Sequence, residues 1–244
     1  MKAVLLNVIF GVGFGKLRGM KDKRLEQAVY KFIEPFLKMR VGNKTVRCPY
    51  WMNKLQDGKV KVRGRFNGKG TAQEIEKALN EAVGKYHSNL PLRKIAKKER
   101  IGIDCSGFVY QILEKIYQEK ELGKKLDEVF SGGINRTNAN TLTGSKFSQG
   151  VNKVSEINIG DLVRLMGGTH VLIVVKKTSK YITYAHSSDR RTKIKGVHLG
   201  KIVITDQNGD LSKQVWLEKS PEGDSFGKYF RPGKGDSIFR LKSF

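Results

Sequence analysis

The chain has 244 residues, 39% of them hydrophobic, which is enough to bury a sizeable core and to make one generous domain or one domain with an extension. Lysine and arginine number 47 against 23 acids, a formal net charge of +24 that attracts polyanions: nucleic acid, teichoic-type wall polymers or anionic lipid headgroups. That charge is spread along the chain, through Arg93 to Arg100 and Lys176 to Lys195 alike, and the two cysteines, Cys48 and Cys105, cannot supply a metal-ligand set or a disulfide framework, so a zinc-finger-type nucleic-acid module is excluded.

At the N-terminus, Lys2 and the apolar run Ala3 to Phe10 resemble the start of an export signal, but no small-x-small cleavage site follows. The run is interrupted by Asn7 and is too short for a spanning helix, so an atypical export signal and an element of the folded domain both stay open. Leu25 to Met39 carries Leu25, Val29, Phe32, Ile33, Phe36 and Leu37 at helical spacing, with Pro35 expected to kink or divide the helix. Val41 to Gly70 is rich in glycine and lysine and contains Cys48-Pro49-Tyr50-Trp51 and Asn67-Gly68-Lys69-Gly70; the glycine spacing and context of the latter do not fit a nucleotide-binding loop. Thr71-Ala72-Gln73-Glu74 reads as a capping box opening a helix whose buried face is Ile75, Ala78, Leu79, Ala82 and Val83, weakened at its end by Gly84.

Next comes Ile103-Asp104-Cys105-Ser106-Gly107-Phe108-Val109. Phe108, Val109, Ile112, Leu113, Ile116 and Tyr117 recur with the period of a helix that buries one face, and Asp104 stands where an N-cap belongs. Cys105 is thus expected on the first helical turn, where the dipole favours a thiolate and free N–H groups can receive an oxyanion. A helix-terminal nucleophile must be unbridged, so a Cys48–Cys105 disulfide is not expected. Glu121 to Ile157 is polar and reads as a long surface loop or short-helix connection beside a substrate groove.

From Asp161 the pattern turns to strands: Asp161 to Leu165, His170 to Val175, Tyr181 to His186, Lys201 to Thr205, Val215 to Glu218 and Ser237 to Leu241. Lys177-Thr178-Ser179-Lys180 reads as a hairpin connection, which would bring His170, at the start of one strand, beside His186, at the end of the next. A cysteine, a histidine base and a second group to orient it form the general logic of a nucleophile triad. His87 and His198 lack such a context and read as surface or structural, and Asp161 reads as a turn or strand-start residue. Helices first and a strand meander after, with the nucleophile helix packed on the sheet, describe an α+β fold.

Asp104-Cys105-Ser106-Gly107-Phe108-Val109, then Gly160-Asp161-Leu162-Val163 leading to His170-Val171, then Ala185-His186-Ser187, closely resemble the NlpC-type family of papain-like cysteine peptidases, which cleave the stem peptides of bacterial cell walls. The resemblance covers residues 100 to 190 or so, with looser agreement to the C-terminus. It implies a papain-like fold over residues 100–244, preceded by a helical region, residues 1–99, that holds an insertion and is either separate or part of the same domain. It implies Cys105 as nucleophile, His170 as general base and His186 as the orienting third residue. Pro49-Tyr50-Trp51 matches the residue types of a segment that lines the site in that family, which would make Tyr50 an oxyanion-binding residue, although it lies much further upstream of the cysteine than usual. The alternative is a packed aromatic turn. The implied reaction is hydrolysis of the bond between D-glutamate and a diamino acid, with peptidoglycan as partner, no cofactor or metal, and an extracellular or cell-envelope location. The rival readings are another cysteine-histidine amidase or acyltransferase, and a non-catalytic protein binding cell wall or nucleic acid.

Overall fold

A computed structural model describes residues 22–86, 90–123 and 125–244; the N-terminal apolar run and His87 lie outside these. A first helix, α1, covers 22–37. It runs through Pro35 without a break, so the helix is not divided there. Pro35 falls in the last turn, where its missing N–H leaves only one carbonyl unpartnered, and Lys38 still donates to the Glu34 carbonyl at 3.0 Å. Met39 belongs not to the helix but to a small hairpin, β1 (Met39–Val41) and β2 (Lys44–Val46), and a second hairpin follows, β3 (Lys54–Gln56) and β4 (Lys59–Val62).

The capping box forms as expected. Glu74 N–H donates to Thr71 Oγ1 at 3.2 Å and Thr71 N–H to Glu74 Oε2 at 2.8 Å, opening α2 (Ala72–Tyr86). Gly84 does not shorten α2. After α3 (Leu92–Glu99) comes α4 (Cys105–Glu119), the helix expected to carry the nucleophile. The polar stretch beyond it holds two short helices, α5 (Leu126–Val129) and α6 (Ala139–Leu142), and also an edge strand, β5 (Ser148–Val151). The remaining strands are β6 (Leu162–Leu165), β7 (His170–Lys177), β8 (Tyr181–Ser188), β9 (Gly196–Val203), β10 (Val215–Trp216) and β11 (Ile238–Leu241). They form a seven-stranded antiparallel sheet in the order β10-β9-β8-β7-β6-β11-β5.

The protein is therefore α+β. Strand alternation sorts its side chains between two apolar clusters. Val171, Ile173 and Val175 of β7 join the cluster formed by the helices, while Leu172 and Val174 join Tyr184, Ile202, Trp216 and Phe226 in the other. Val29, Ile33 and Phe36 of α1 and Ile75 and Leu79 of α2 share the first cluster with Phe108, Val109 and Ile112 of α4. The N-terminal region and the strand region thus share one core, and Phe36 meets Phe108 edge-on at 5.2 Å. A buried ion pair pins the far end of the sheet: Arg240 donates from Nε and Nη2 to the two carboxylate oxygens of Asp161, each at 2.8 Å.

Candidate active site

Asp104 caps α4 as its position demands, accepting from Gly107 N–H at 2.7 Å. The same carboxylate oxygen accepts from Lys69 Nζ and from Ser106 Oγ, both at 2.9 Å. Lys69 also donates to Ser106 Oγ at 2.6 Å and to the Thr137 carbonyl at 3.2 Å, with its side chain only 8% exposed. All three ammonium protons are thereby used, and the lysine of the Gly-Lys-Gly segment is a brace for the start of α4 rather than a phosphate ligand.

Two glycines allow the chain to close around this helix start. Gly102 has φ +152°, and a Cβ there would lie 2.4 Å from the Pro49 carbonyl oxygen. Its absence lets Ile103 N–H donate to Pro49 O at 3.0 Å, aligning residues 49–51 beside the approach to α4 in a parallel bridge of Tyr50 with Ile103. A Cβ on Gly107 would lie 2.6 Å from the Gly68 carbonyl, so the 67–70 loop packs directly on the first turn. On the sheet side, Ser187 Oγ of β8 donates to the Ile103 carbonyl at 2.8 Å, and Val197 N–H of β9 donates to the Cys48 carbonyl at 2.9 Å.

Cys105 is buried and, like Cys48, a free thiol. The backbone N–H of Val171, the residue after His170, is among the groups that favour ionisation of its sulfur. His170 and His186 meet as the hairpin predicts, with Nε2 of the first 2.9 Å from Nδ1 of the second. That contact uses Nε2 of His170 and leaves its Nδ1 without a hydrogen bond among the described residues. Tyr50 lies close enough to Cys105 and Asp104 for their negative charges to oppose its ionisation, and burial opposes it more strongly still. Its hydroxyl is turned to Met52 Sδ at 2.9 Å.

Burial works against the thiolate that the helix dipole favours. Burial pushes the Cys105 thiol up to about 12 and the Asp104 carboxylate adds to the effect, while Val171 N–H, Lys69 and Ser106 N–H act against it. Burial, with repulsion from His186, holds His170 well below the ordinary imidazole value of 6.5. Both shifts favour the uncharged forms, thiol and neutral imidazole.

The histidine cluster extends further than the sequence indicated. His198, read as surface or structural, is 2% exposed, with Nε2 lying 2.8 Å from His186 Nε2 and 2.7 Å from Glu218 Oε1. It was missed because β9 begins at Gly196 and not at Lys201, which registers His198 directly opposite His186. Glu218 joins because Leu217 N–H pairs with the Lys201 carbonyl at 2.9 Å, carrying the next residue onto the same cluster. Burial opposes ionisation of Glu218, yet His186 and His198 outweigh it and hold the carboxyl far below its usual range. Tyr184 donates its hydroxyl to the other carboxylate oxygen.

Comparison with protein-family models, with curated proteins and with solved structures finds no match to this chain. The arrangement itself defines a class: a buried thiol at a helix N-terminus facing the first residues of a histidine-bearing strand, with that histidine hydrogen-bonded to a second.

Proposed function

We propose that the protein is a papain-like cysteine hydrolase of the NlpC type that cleaves amide bonds in peptidoglycan stem peptides, between D-glutamate and the diamino acid. The observation that carries the reading is the hydrogen-bonded pair of His170 on β7 and His186 on β8, with Cys105 buried at the start of the helix packed on those strands. In this reading His170 donates its Nε2 proton to His186 Nδ1, which leaves the Nδ1 lone pair to take the thiol proton. Because both groups rest neutral, that transfer accompanies attack instead of preceding it. Sulfur adds to the carbonyl carbon, and the oxyanion is received by the Cys105 backbone N–H, with Tyr50 able to add a donor by turning from Met52. His170 returns the proton to the leaving amine as the C–N bond breaks, giving a thioester. Water, deprotonated by His170, then releases the acid and restores the thiol.

The +24 charge supports an anionic polymer as substrate, since stem peptides and wall polymers carry carboxylates and phosphates. An extracellular or cell-envelope location belongs to the same reading. The test is digestion of purified stem-peptide fragments by wild type and Cys105→Ala, with products identified by mass. Cysteine-dependent cleavage after D-glutamate is expected. Cleavage at another amide would move the protein to a related amidase, and the absence of any acyl-transfer chemistry would defeat the reading.

A further inference from the structure

His186, His198 and Glu218 come from two neighbouring strands and the segment that follows β10, and their inner atoms converge on one point. The three separations are 2.8 Å (His186 Nε2 to His198 Nε2), 2.7 Å (His198 Nε2 to Glu218 Oε1) and 3.2 Å (His186 Nε2 to Glu218 Oε1). Each outer atom is held by a separate partner. His198 Nδ1 donates to the Gly196 carbonyl at 2.9 Å, His186 Nδ1 faces His170, and Glu218 Oε2 accepts from Tyr184. With its Nδ1–H committed, His198 in its neutral form turns a bare lone pair toward a carboxylate oxygen and toward a second imidazole nitrogen. A proton can bridge any one of these pairs. A single divalent ion satisfies all three lone pairs at once.

We propose that His186, His198 and Glu218 form a binding site for one divalent transition-metal ion, with Zn²⁺ as its representative. Two imidazoles and one carboxylate are the donor set that zinc favours, at distances of about 2.0–2.2 Å, and an ion can sit at that distance from all three just off the plane of the triangle. The outer contacts are what such ligands need, since they fix ring orientation and tautomer. The site is enclosed: His186 is fully buried and Glu218, 9% exposed, is the most accessible of the three. Such a site departs from the expectation of no metal that the family resemblance implied.

One consequence rests on the catalytic reading above, although the site itself does not. An ion on His186 Nε2 places that ring's proton on Nδ1, where it must be donated to His170 Nε2. His170 then carries its own proton on Nδ1 and has no lone pair for the thiol. Metal occupancy and amide cleavage exclude one another, so the ion acts as a reversible inhibitor.

The experiment is equilibrium dialysis of full-length, chelator-stripped protein against Zn²⁺, with bound metal measured by atomic emission and Co²⁺ absorption used to report a low-coordinate nitrogen–oxygen site. One equivalent per chain is expected for wild type and equally for Cys105→Ala, which separates this site from binding at the thiol. His198→Ala and Glu218→Gln are expected to weaken binding at least 100-fold, with circular dichroism confirming that each variant is folded. The absence of a stoichiometric site in wild type overturns the proposal without recourse to any variant, as does binding lost in Cys105→Ala but kept in His198→Ala. Cleavage by wild type that persists at one equivalent of bound zinc overturns the inhibitory coupling alone, whereas a protein that binds zinc but cleaves no amide when stripped of it leaves the site standing and removes the catalytic reading.

Discussion

Replacing Asp104 tests the bracing of the nucleophile helix. Its carboxylate caps α4 through Gly107 N–H and also holds Lys69, in a pair whose side chains are 15% and 8% exposed. Loss of an N-cap costs about 1 kcal/mol, and breaking a buried ion pair by removing one partner costs about 3–5 kcal/mol. The two overlap because one oxygen serves both contacts, so Asp104→Ala is expected to destabilise the fold by about 3–5 kcal/mol in total. Asp104→Asn keeps an oxygen for Gly107 and Lys69 but removes the charge, and is expected to cost about 1–2 kcal/mol, the difference between a charged and a neutral hydrogen bond. Urea denaturation with an unchanged m value measures both. A loss of under about 1 kcal/mol for Asp104→Ala would refute the argument, because it would mean that Lys69 is not a desolvated cation dependent on this carboxylate.

The remaining predictions concern the thiol, the sheet and the helix contact. With Cys105 pushed up to about 12, alkylation by iodoacetamide at neutral pH is expected to be slow and to rise about tenfold per pH unit from 7 to 9, because only the deprotonated sulfur reacts; a rate already at its plateau at pH 7 would show a preformed thiolate. Asp104→Asn, which removes a neighbouring negative charge, is expected to shift that profile to lower pH in the same assay. Arg240→Lys is expected to destabilise by at least about 1 kcal/mol and Arg240→Ala by about 3–5 kcal/mol, since Asp161 is buried and held by both arms of the guanidinium; equal stability of wild type and Arg240→Ala in urea would contradict this. Gly107→Ala is expected to lose about 1–3 kcal/mol in spite of alanine's better helix propensity, because its Cβ would press on the Gly68 carbonyl; a more stable variant would show that the 67–70 loop yields easily.

The helical period of α4, its Asp104 cap, the Thr71–Glu74 box and the β7–β8 hairpin could all be read from the sequence, because each is a local pattern. From that hairpin followed the contact of His170 with His186. What could not be read depends on long-range pairing. Gly196-Val197-His198-Leu199-Gly200 has no apolar run to announce a strand, and only pairing with β8 makes it one. Ser148-Gln149-Gly150-Val151 is likewise a strand because β11 supplies a partner. Glu218 enters the histidine cluster through the long-range pairing of Leu217 with Lys201, so no spacing in the sequence marks it. The burial that opposes the Cys105 thiolate was not legible for a related reason: the dipole is a local property, but burial is set by the whole fold.

The central claim is that Cys105 becomes acylated during amide cleavage. Wild-type protein mixed with a stem-peptide fragment, quenched in acid within the first turnover and mapped by peptide mass, tests it most directly. The account predicts an acyl adduct on the peptide bearing Cys105, none on Cys48, and none in His170→Ala. Hydrolysis that proceeds without that adduct and persists in Cys105→Ala would contradict it.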